Sequence, residues 1–191
     1  MPTLFQWLLR IASGLIGLIV LGAVVVYYLA SRSLPDYDKT LRVADISAPV
    51  EVVRDNANVP HIFAAPDAPD TDVYFGLGYA HAQDRLWQMT MLRRTVQGRL
   101  SELFGERTVS IDSLVRRLDL YALSVKSVEV QTPETRAALS AYAAGVNSRL
   151  AEINIDALGR GAPEMFVFNA PIAPWQPADS IAIIKLMALQ L

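Results

Sequence analysis

The chain has 191 residues, a net charge of -2 and a hydrophobic content of 52%. This length supplies one ordinary domain, and the hydrophobic content leaves room for a further, strongly apolar segment. A net charge near zero, without a basic face or tail, argues against a nucleic-acid partner. The absence of cysteine excludes a disulfide, a thiol nucleophile and a cysteine-based metal site, but it does not assign a cellular compartment.

The first feature along the chain is the uncharged segment 11–30, which is bounded by Arg10 and Arg32. A helix of this length covers about 30 Å, the thickness of the hydrocarbon core of a bilayer. The segment exceeds the usual signal-peptide core of about 7–15 residues, and the large residue Tyr28 stands where a cleavage site needs small ones. We therefore favour a retained transmembrane anchor over a cleaved signal for residues 1–34.

A polar segment and two short strands are predicted next. Residues 35–48 mix charges and polar residues, which is typical of a linker that lifts a domain off the membrane. Residues 49–54 alternate in the manner of a strand, and residues 61–64 are a candidate partner strand. Residues 55–58, between them, are turn formers, so the pattern predicts a β-hairpin.

The longest amphipathic segment runs from Tyr74 to Gly105. Its apolar positions recur alternately four and three residues apart, which predicts one long helix with a buried side. The predicted core positions are Phe75, Tyr79, Ala82, Leu86, Met89, Arg93, Val96, Leu100 and Leu103. The opposite side, expected to face solvent or a partner, carries Asp84, Arg85, Gln88, Thr95 and Arg99. Asp70 or Thr71 is expected to cap the start of this helix.

Arg93 is the charged residue on the predicted buried side. An unpaired buried guanidinium is very costly, so we expect Arg93 to pair with a carboxylate such as Asp84 or Glu102. His81 and Asp84 share a helical face and could hold a metal, but no third ligand stands at a suitable spacing, so we expect a hydrogen-bonded structural histidine. Gly76-Leu77-Gly78 is not a nucleotide loop, because the third glycine of GxGxxG is missing.

Further helices are predicted up to the last residue. Asp112 is expected to cap a segment in which Leu114, Val115, Leu118 and Tyr121 return at helical intervals. Pro133-Glu134 begins another helix, with buried Ala137, Ala138, Ala141, Tyr142 and Val146 and exposed Arg136 and Arg149. Residues 159–174 are irregular, with Met165, Phe166 and Phe168 as expected packing residues. The apolar helix 180–191 has no terminating signal, so we expect this helix to be interrupted at Leu191 and to continue in the complete protein.

Short motifs follow one another in a fixed order along this part of the chain. They are Arg54-Asp55, Val59-Pro60-His61-Ile62, Gly76-x-Gly78-Tyr79, Ala82-Gln83-Asp84-Arg85-Leu86-Trp87-Gln88-Met89, Arg93-Arg94, Gly98-Arg99-Leu100 and Trp175-Gln176-Pro177-Ala178-Asp179. This succession resembles the start of the α subunit in the penicillin acylase family of N-terminal nucleophile hydrolases. The resemblance implies a helix-rich α+β fold, the N-terminal part of an αββα fold preceded by a transmembrane helix, with residues 49–191 as an incomplete α-subunit portion.

The implied reaction is hydrolysis of a linear amide to a carboxylic acid and an amine. In the family, the nucleophile is a serine at the start of a β subunit that is cut from the same precursor, so no residue of this chain is assigned a catalytic role. Consistent with this, GxSxG, HExxH and the P-loop pattern are absent from the sequence. The resemblance implies two alternative classes of small-molecule substrate, amides of penicillin-type side chains and N-acyl homoserine lactones, and the sequence does not choose between them. The first would link the chain to antibiotic metabolism and the second to quorum quenching.

The resemblance also implies a substrate-binding site. In the family, the helix after Trp-x-Pro-x-Asp continues into the acyl-binding pocket and then to a glutamate that binds a structural calcium ion. Counting from Trp175, Ala188 and Leu191 fall near the pocket positions, and the small Ala188 would admit a bulkier acyl group. The calcium ligand would lie beyond Leu191, so no metal ligand is assigned within this chain.

The orientation of the anchor and the function class each have two interpretations. Arg32, Lys39 and Arg42 follow the span, which favours a cytoplasmic body, whereas the family implies a body on the periplasmic or extracellular side. We follow the family. The alternative function is a non-enzymatic, membrane-anchored interaction protein with a helical apolar face; it predicts a stop codon after Leu191, whereas the acylase interpretation predicts an open reading frame.

Overall fold

The computed structural model describes residues 2–156, 158–168 and 171–189, and most of them are helical. In chain order the elements are α1 (Pro2–Ser33), β1 (Val50–Arg54), β2 (Pro60–Ala64), α2 (Asp70–Val96), α3 (Ser101–Phe104), α4 (Val109–Leu118), α5 (Leu120–Glu129), α6 (Pro133–Asp156) and α7 (Pro177–Leu189). Short 3-10 turns lie at Gly105–Thr108 and Pro163–Phe166. A helix-rich architecture is therefore confirmed.

The apolar helix α1 projects from the body. The helical stretch Thr3–Ser33 is long and apolar enough to cross a membrane, and none of its most apolar 18 residues is buried. The last turn touches the body: Ser33 is 1% exposed, and Arg32 donates a hydrogen bond to the carbonyl oxygen of Asp156 at 2.9 Å. An exposed helix of this kind is expected of a membrane anchor and of a signal sequence alike.

The predicted hairpin is confirmed as an antiparallel pair in which Val52 lies opposite Ile62. The segment before it, which we expected to act as a linker, lies against the body. The backbone amides of Ser47 and Ala48 donate hydrogen bonds to the buried carboxylate of Asp72 on α2, at 3.1 and 2.9 Å. The hairpin and its preceding segment are thus fixed to the first turn of α2.

The core of the body forms where α2 and α6 cross. A Cβ atom on Gly78 would overlap the carbonyl oxygen of Tyr142, and one on Gly145 would overlap that of Phe75. The two backbones therefore touch, which is possible because both positions lack a side chain. The buried residues around the crossing include Ala82, Leu86, Met89, Val146, Leu150, Ile153, Met165 and Trp175.

The prediction of one helix from Tyr74 to Gly105 is wrong at its C-terminal end. Helix α2 ends at Val96, and Gly98 adopts a left-handed φ of 62° that turns the chain, as glycines after helices commonly do. Leu100 and Leu103 therefore lie beyond the helix. Neither Asp70 nor Thr71 caps its start: the N-cap is Pro69, and no side-chain cap bond is made.

Three further expectations are corrected by the tertiary contacts. Asp112 does not cap its own helix, because its carboxylate accepts hydrogen bonds from the amides of Leu100 and Ser101, at the start of α3, at 2.9 and 2.8 Å. Ala137 is exposed rather than buried. Arg149 is 4% exposed rather than solvated, because it lies in the buried part of α6, where it pairs with Glu152 at 2.9 Å.

Replacing Gly78 with alanine tests the helix crossing. The added methyl group meets backbone, which cannot rotate away, so we expect Gly78→Ala to lower the free energy of unfolding by about 3 kcal/mol. Urea unfolding followed by tryptophan fluorescence measures this loss. Gly17→Ala is the control, because nothing lies within 4 Å of the site of its Cβ; equal midpoints for the two variants would contradict the described crossing.

Candidate functional site

A buried arginine joins α2 to the start of α7. Arg93 is 6% exposed, and its guanidinium forms an ion pair with Asp179 at 3.5 Å. It also donates hydrogen bonds to the carbonyl oxygens of Ala173 and Pro174, at 3.0 and 3.3 Å, and lies 5.1 Å from the centre of the Trp175 ring. Burial lowers the pKa of Arg93, while the Asp179 carboxylate opposes that shift. Arg93 therefore contacts residues 173–175, which precede α7, and Asp179 in the first turn of α7.

Asp179 completes this network from the first turn of α7. Its carboxylate, in a residue only 1% exposed, accepts hydrogen bonds from the Gln176 amide at 2.8 Å and from the Tyr121 hydroxyl at 3.0 Å. The bond to Gln176 satisfies an otherwise free amide at the helix start. Burial and the nearby Asp179 charge raise the pKa of Tyr121. We call Arg93, Tyr121, Trp175 and Asp179 the α7 lock.

The expected partners of Arg93 pair elsewhere. Asp84 accepts two hydrogen bonds from Arg54 of β1, at 2.9 and 2.8 Å. It precedes Arg93 by nine residues, or about 13 Å along a helix, which is too far for contact. Glu102 lies beyond the end of α2 and pairs with Arg99 and Arg94, both at 2.7 Å. Hydrogen bonds from these arginines, that of Arg99 first, lower the pKa of Glu102 to about 2.

His81 is hydrogen-bonded to the protein, as expected. Its Nδ1 lies 2.9 Å from the hydroxyl of Tyr142 on α6, burial lowers the pKa of His81, and burial raises the pKa of Tyr142 to about 12. Within residues 2–156, 158–168 and 171–189, no group of three or more histidine, aspartate or glutamate side chains could hold a metal ion.

The lock determines which side of α7 faces outward. Ala182 and Leu186 are buried, at 0% and 3% exposure, against α2 and α5. Ile184 and Met187 are 64% and 51% exposed, and Ala188 lies beside them on the exposed side. We call Ile184, Met187 and Ala188 the α7 outer face. The other implied pocket residue, Leu191, lies outside the described residues.

A cavity of about 330 Å³ lies elsewhere in the body. It opens between residues 36–46, β1 and α2, and its lining includes Lys39, Arg54 and Tyr79 but no residue of α7. Ala188 is therefore not part of this cavity. The exposed apolar α7 outer face is suited to contact with another polypeptide or with an apolar ligand.

The chain matches a protein-family model and several curated proteins. The model of the family described as penicillin amidase matches residues 49–191. Penicillin acylase 2 proenzyme from Pseudomonas sp. (strain SE83) is 39% identical over 160 residues, covering 82% of this chain and 19% of that protein. Penicillin G acylase from Escherichia coli is 32% identical over 135 residues, covering 70% of this chain and 15% of that one.

Two further similarities extend this result. Acyl-homoserine lactone acylase QuiP from Pseudomonas putida is 35% identical over 119 residues, or 61% of this chain and 14% of that protein. A thermostable penicillin G acylase from Alcaligenes faecalis superposes with a TM-score of 0.67 at 30% identity, covering 76% of this chain and 75% of that one. The chain spans about a fifth of the length of the curated relatives it matches, or less.

The energetic importance of the α7 lock is tested by Asp179→Asn. This change keeps the side-chain shape but leaves the Arg93 charge buried without a counter-charge, so we expect the free energy of unfolding to fall by about 3–5 kcal/mol. Asp156→Asn is the matched control, because that side chain is 70% exposed and its pairing with Lys39 is long, at 4.0 Å. Equally small losses in urea unfolding would show that the ion pair is dispensable.

Proposed function

The chain belongs to the penicillin amidase family, and we propose that it is the α-subunit portion of an enzyme that hydrolyses a linear amide to a carboxylic acid and an amine. The observation that carries the proposal is the shared fold, which extends over 76% of the chain at 30% identity to a penicillin G acylase. Because the chain spans only a fraction of its relatives, we place the catalytic serine on a β subunit outside residues 1–191.

The proposed chemistry needs a serine at a newly exposed amino terminus. A free α-amine has a pKa of about 7.7–8.0, so near neutral pH it accepts the proton of its own serine hydroxyl. The serine oxygen then attacks the amide carbonyl carbon, and hydrogen-bond donors stabilise the oxyanion that forms. As the C–N bond breaks, the α-ammonium group gives that proton to the leaving nitrogen, so the amine is released and an ester to the serine remains. Water then hydrolyses the ester to the carboxylic acid and the free serine.

This chain would contribute positioning and specificity rather than the nucleophile. The α7 lock holds α7 at its first turn, and the α7 outer face carries Ala188 on the exposed side. We propose that this face meets the β subunit and that Ala188 and Leu191 line one wall of the acyl pocket. A side chain as small as alanine leaves space at this wall for a bulky acyl group. Penicillin-type amides and N-acyl homoserine lactones both remain candidate substrates.

The cellular setting and the metal are further parts of the proposal. We propose that α1 anchors the enzyme in the membrane and that the body lies on its periplasmic or extracellular side. The support for an anchor is the length and apolarity of Thr3–Ser33, together with the exposure of its most apolar part. A structural calcium ion, if the complete enzyme binds one, would take its ligands from outside this chain. No step of the proposed reaction passes through it.

The reading frame and the proposed nucleophile can be tested together. We expect the nucleotides after codon 191 to encode a spacer followed by a serine, and we expect replacement of that serine with alanine to leave the precursor uncut in a denaturing gel. Continued self-cleavage of the alanine variant would refute the mechanism. A natural stop codon at position 192 would instead favour the alternative, a membrane-anchored interaction protein that uses the α7 outer face.

The acyl-pocket role of Ala188 is tested by substitution with phenylalanine in the complete enzyme. We expect Ala188→Phe to lower kcat/KM for amides of bulky acyl groups by about tenfold or more while sparing small ones, because a lost fit of this kind is worth about 1–3 kcal/mol. Ala137→Phe is the control, since Ala137 is exposed near the N-terminal end of α6. An equal effect of both substitutions on all acyl groups would remove Ala188 from the pocket.

A further inference from the structure

We propose that the body docks directly on the surface of the bilayer that α1 spans, through apolar side chains that surround the end of α1. This inference rests on the proposed anchor role of α1 and adds to it a lipid-binding surface on the body. The surface, which we call the junction patch, consists of Leu34, Ile155, Leu158 and Val167. Its ligand is the headgroup region of a phospholipid bilayer.

Exposure singles out the junction patch. Among the described residues after α1, large apolar side chains more than 60% exposed occur at six positions, and four of these are Leu34 at 64%, Ile155 at 80%, Leu158 at 62% and Val167 at 77%. The other two are Val130, which follows α5, and Ile184 on α7. Exposed apolar side chains mark an interaction surface where they lie close together.

Contacts with α1 place the junction patch next to the proposed membrane span. Arg32 donates its hydrogen bond to the carbonyl oxygen of Asp156, the residue between Ile155 and the turn that carries Leu158. The 3-10 turn Pro163–Phe166, which directly precedes Val167, packs against α1. Leu34 follows the last residue of α1. Every member of the patch therefore lies within two residues of a contact with α1 or of its end.

The short distance along α1 from its interfacial tyrosines to the body places the body directly at the membrane surface. Tyr27 and Tyr28 are 76% and 59% exposed and are the kind of side chain that prefers the membrane interface. Arg32 lies four residues after Tyr28, or about 6 Å along the helix axis. The headgroup region on one side of a bilayer is about 5–8 Å thick. Since Ser33 is buried against the body, the patch begins at headgroup level.

Residues 35–48, between α1 and the hairpin, are packed on the body, so the body is fixed relative to α1 and does not hang from a flexible linker. Lys39, inside the segment expected to be a linker, forms an ion pair with Glu152 of α6 at 3.1 Å. Tyr37 stacks on the guanidinium of Arg54, at 4.1 Å from the ring centre. The chain between the span and the hairpin thus follows the surface of the body, and the tilt of α1 is coupled to the orientation of the patch.

Site-directed fluorescence in vesicles tests the docking. The 191-residue chain has no cysteine, so Ile155→Cys can carry one nitrobenzoxadiazole label in the complete gene product, with any cysteine encoded elsewhere changed to serine. In vesicles of phosphatidylcholine and phosphatidylglycerol, we expect blue-shifted emission and several-fold stronger quenching by headgroup spin-labelled lipid than for Val130→Cys. Val130 is the matched control, because it is 81% exposed but follows α5 instead of adjoining α1.

Each alternative outcome has a distinct signature. Equal, weak lipid quenching at both positions would overturn the docking. Blue-shifted emission at position 155 without lipid quenching would overturn it in favour of cover by the rest of the polypeptide. A label on Ser13→Cys, read with acyl-chain spin labels, reports insertion of α1 itself. If Ser13 is quenched and Ile155 is not, the anchor stands and the docking is wrong; if neither is quenched, the anchor fails and the docking fails with it.

Discussion

The ion pair between Arg93 and Asp179 is the interaction on which the placement of α7 depends. Helix α7 is apolar on both sides, so hydrophobicity alone does not select which side is buried. The polar network does: a guanidinium that is 6% exposed is stable only beside its carboxylate, and Asp179 can reach it from one rotational setting of the helix. Ala182 and Leu186 then face the core, and the α7 outer face is left for another surface.

The crossing of α2 and α6 supplies the frame for that interaction. Gly78 and Gly145 bring the two helix backbones into contact, and Gly76 makes room for Val50 and Ile62 of the hairpin. The motif glycines of α2 are therefore packing residues. Helix α2 thus has close backbone packing near its start and a buried charge near its end.

The sequence predicted local structure well and long-range pairing poorly. The period of α2 identified Phe75 and Leu86 as core, and the alternation around a turn identified the hairpin, because both signals lie within a few residues of chain. The partner of Arg93 was missed because Asp179 is 86 residues away, and no spacing rule connects such positions. The position of Gly98 could have marked the end of α2, but the apolar period continued past it and concealed the break.

In the proposed enzyme, the α7 outer face is covered by a second polypeptide. The most direct measurement is the rate at which a maleimide labels Met187→Cys in the folded complete gene product, compared with Ser140→Cys on the exposed side of α6. Covered as proposed, Met187→Cys reacts far more slowly than Ser140→Cys, and the difference vanishes in urea. Equal rates in the folded protein would contradict the account.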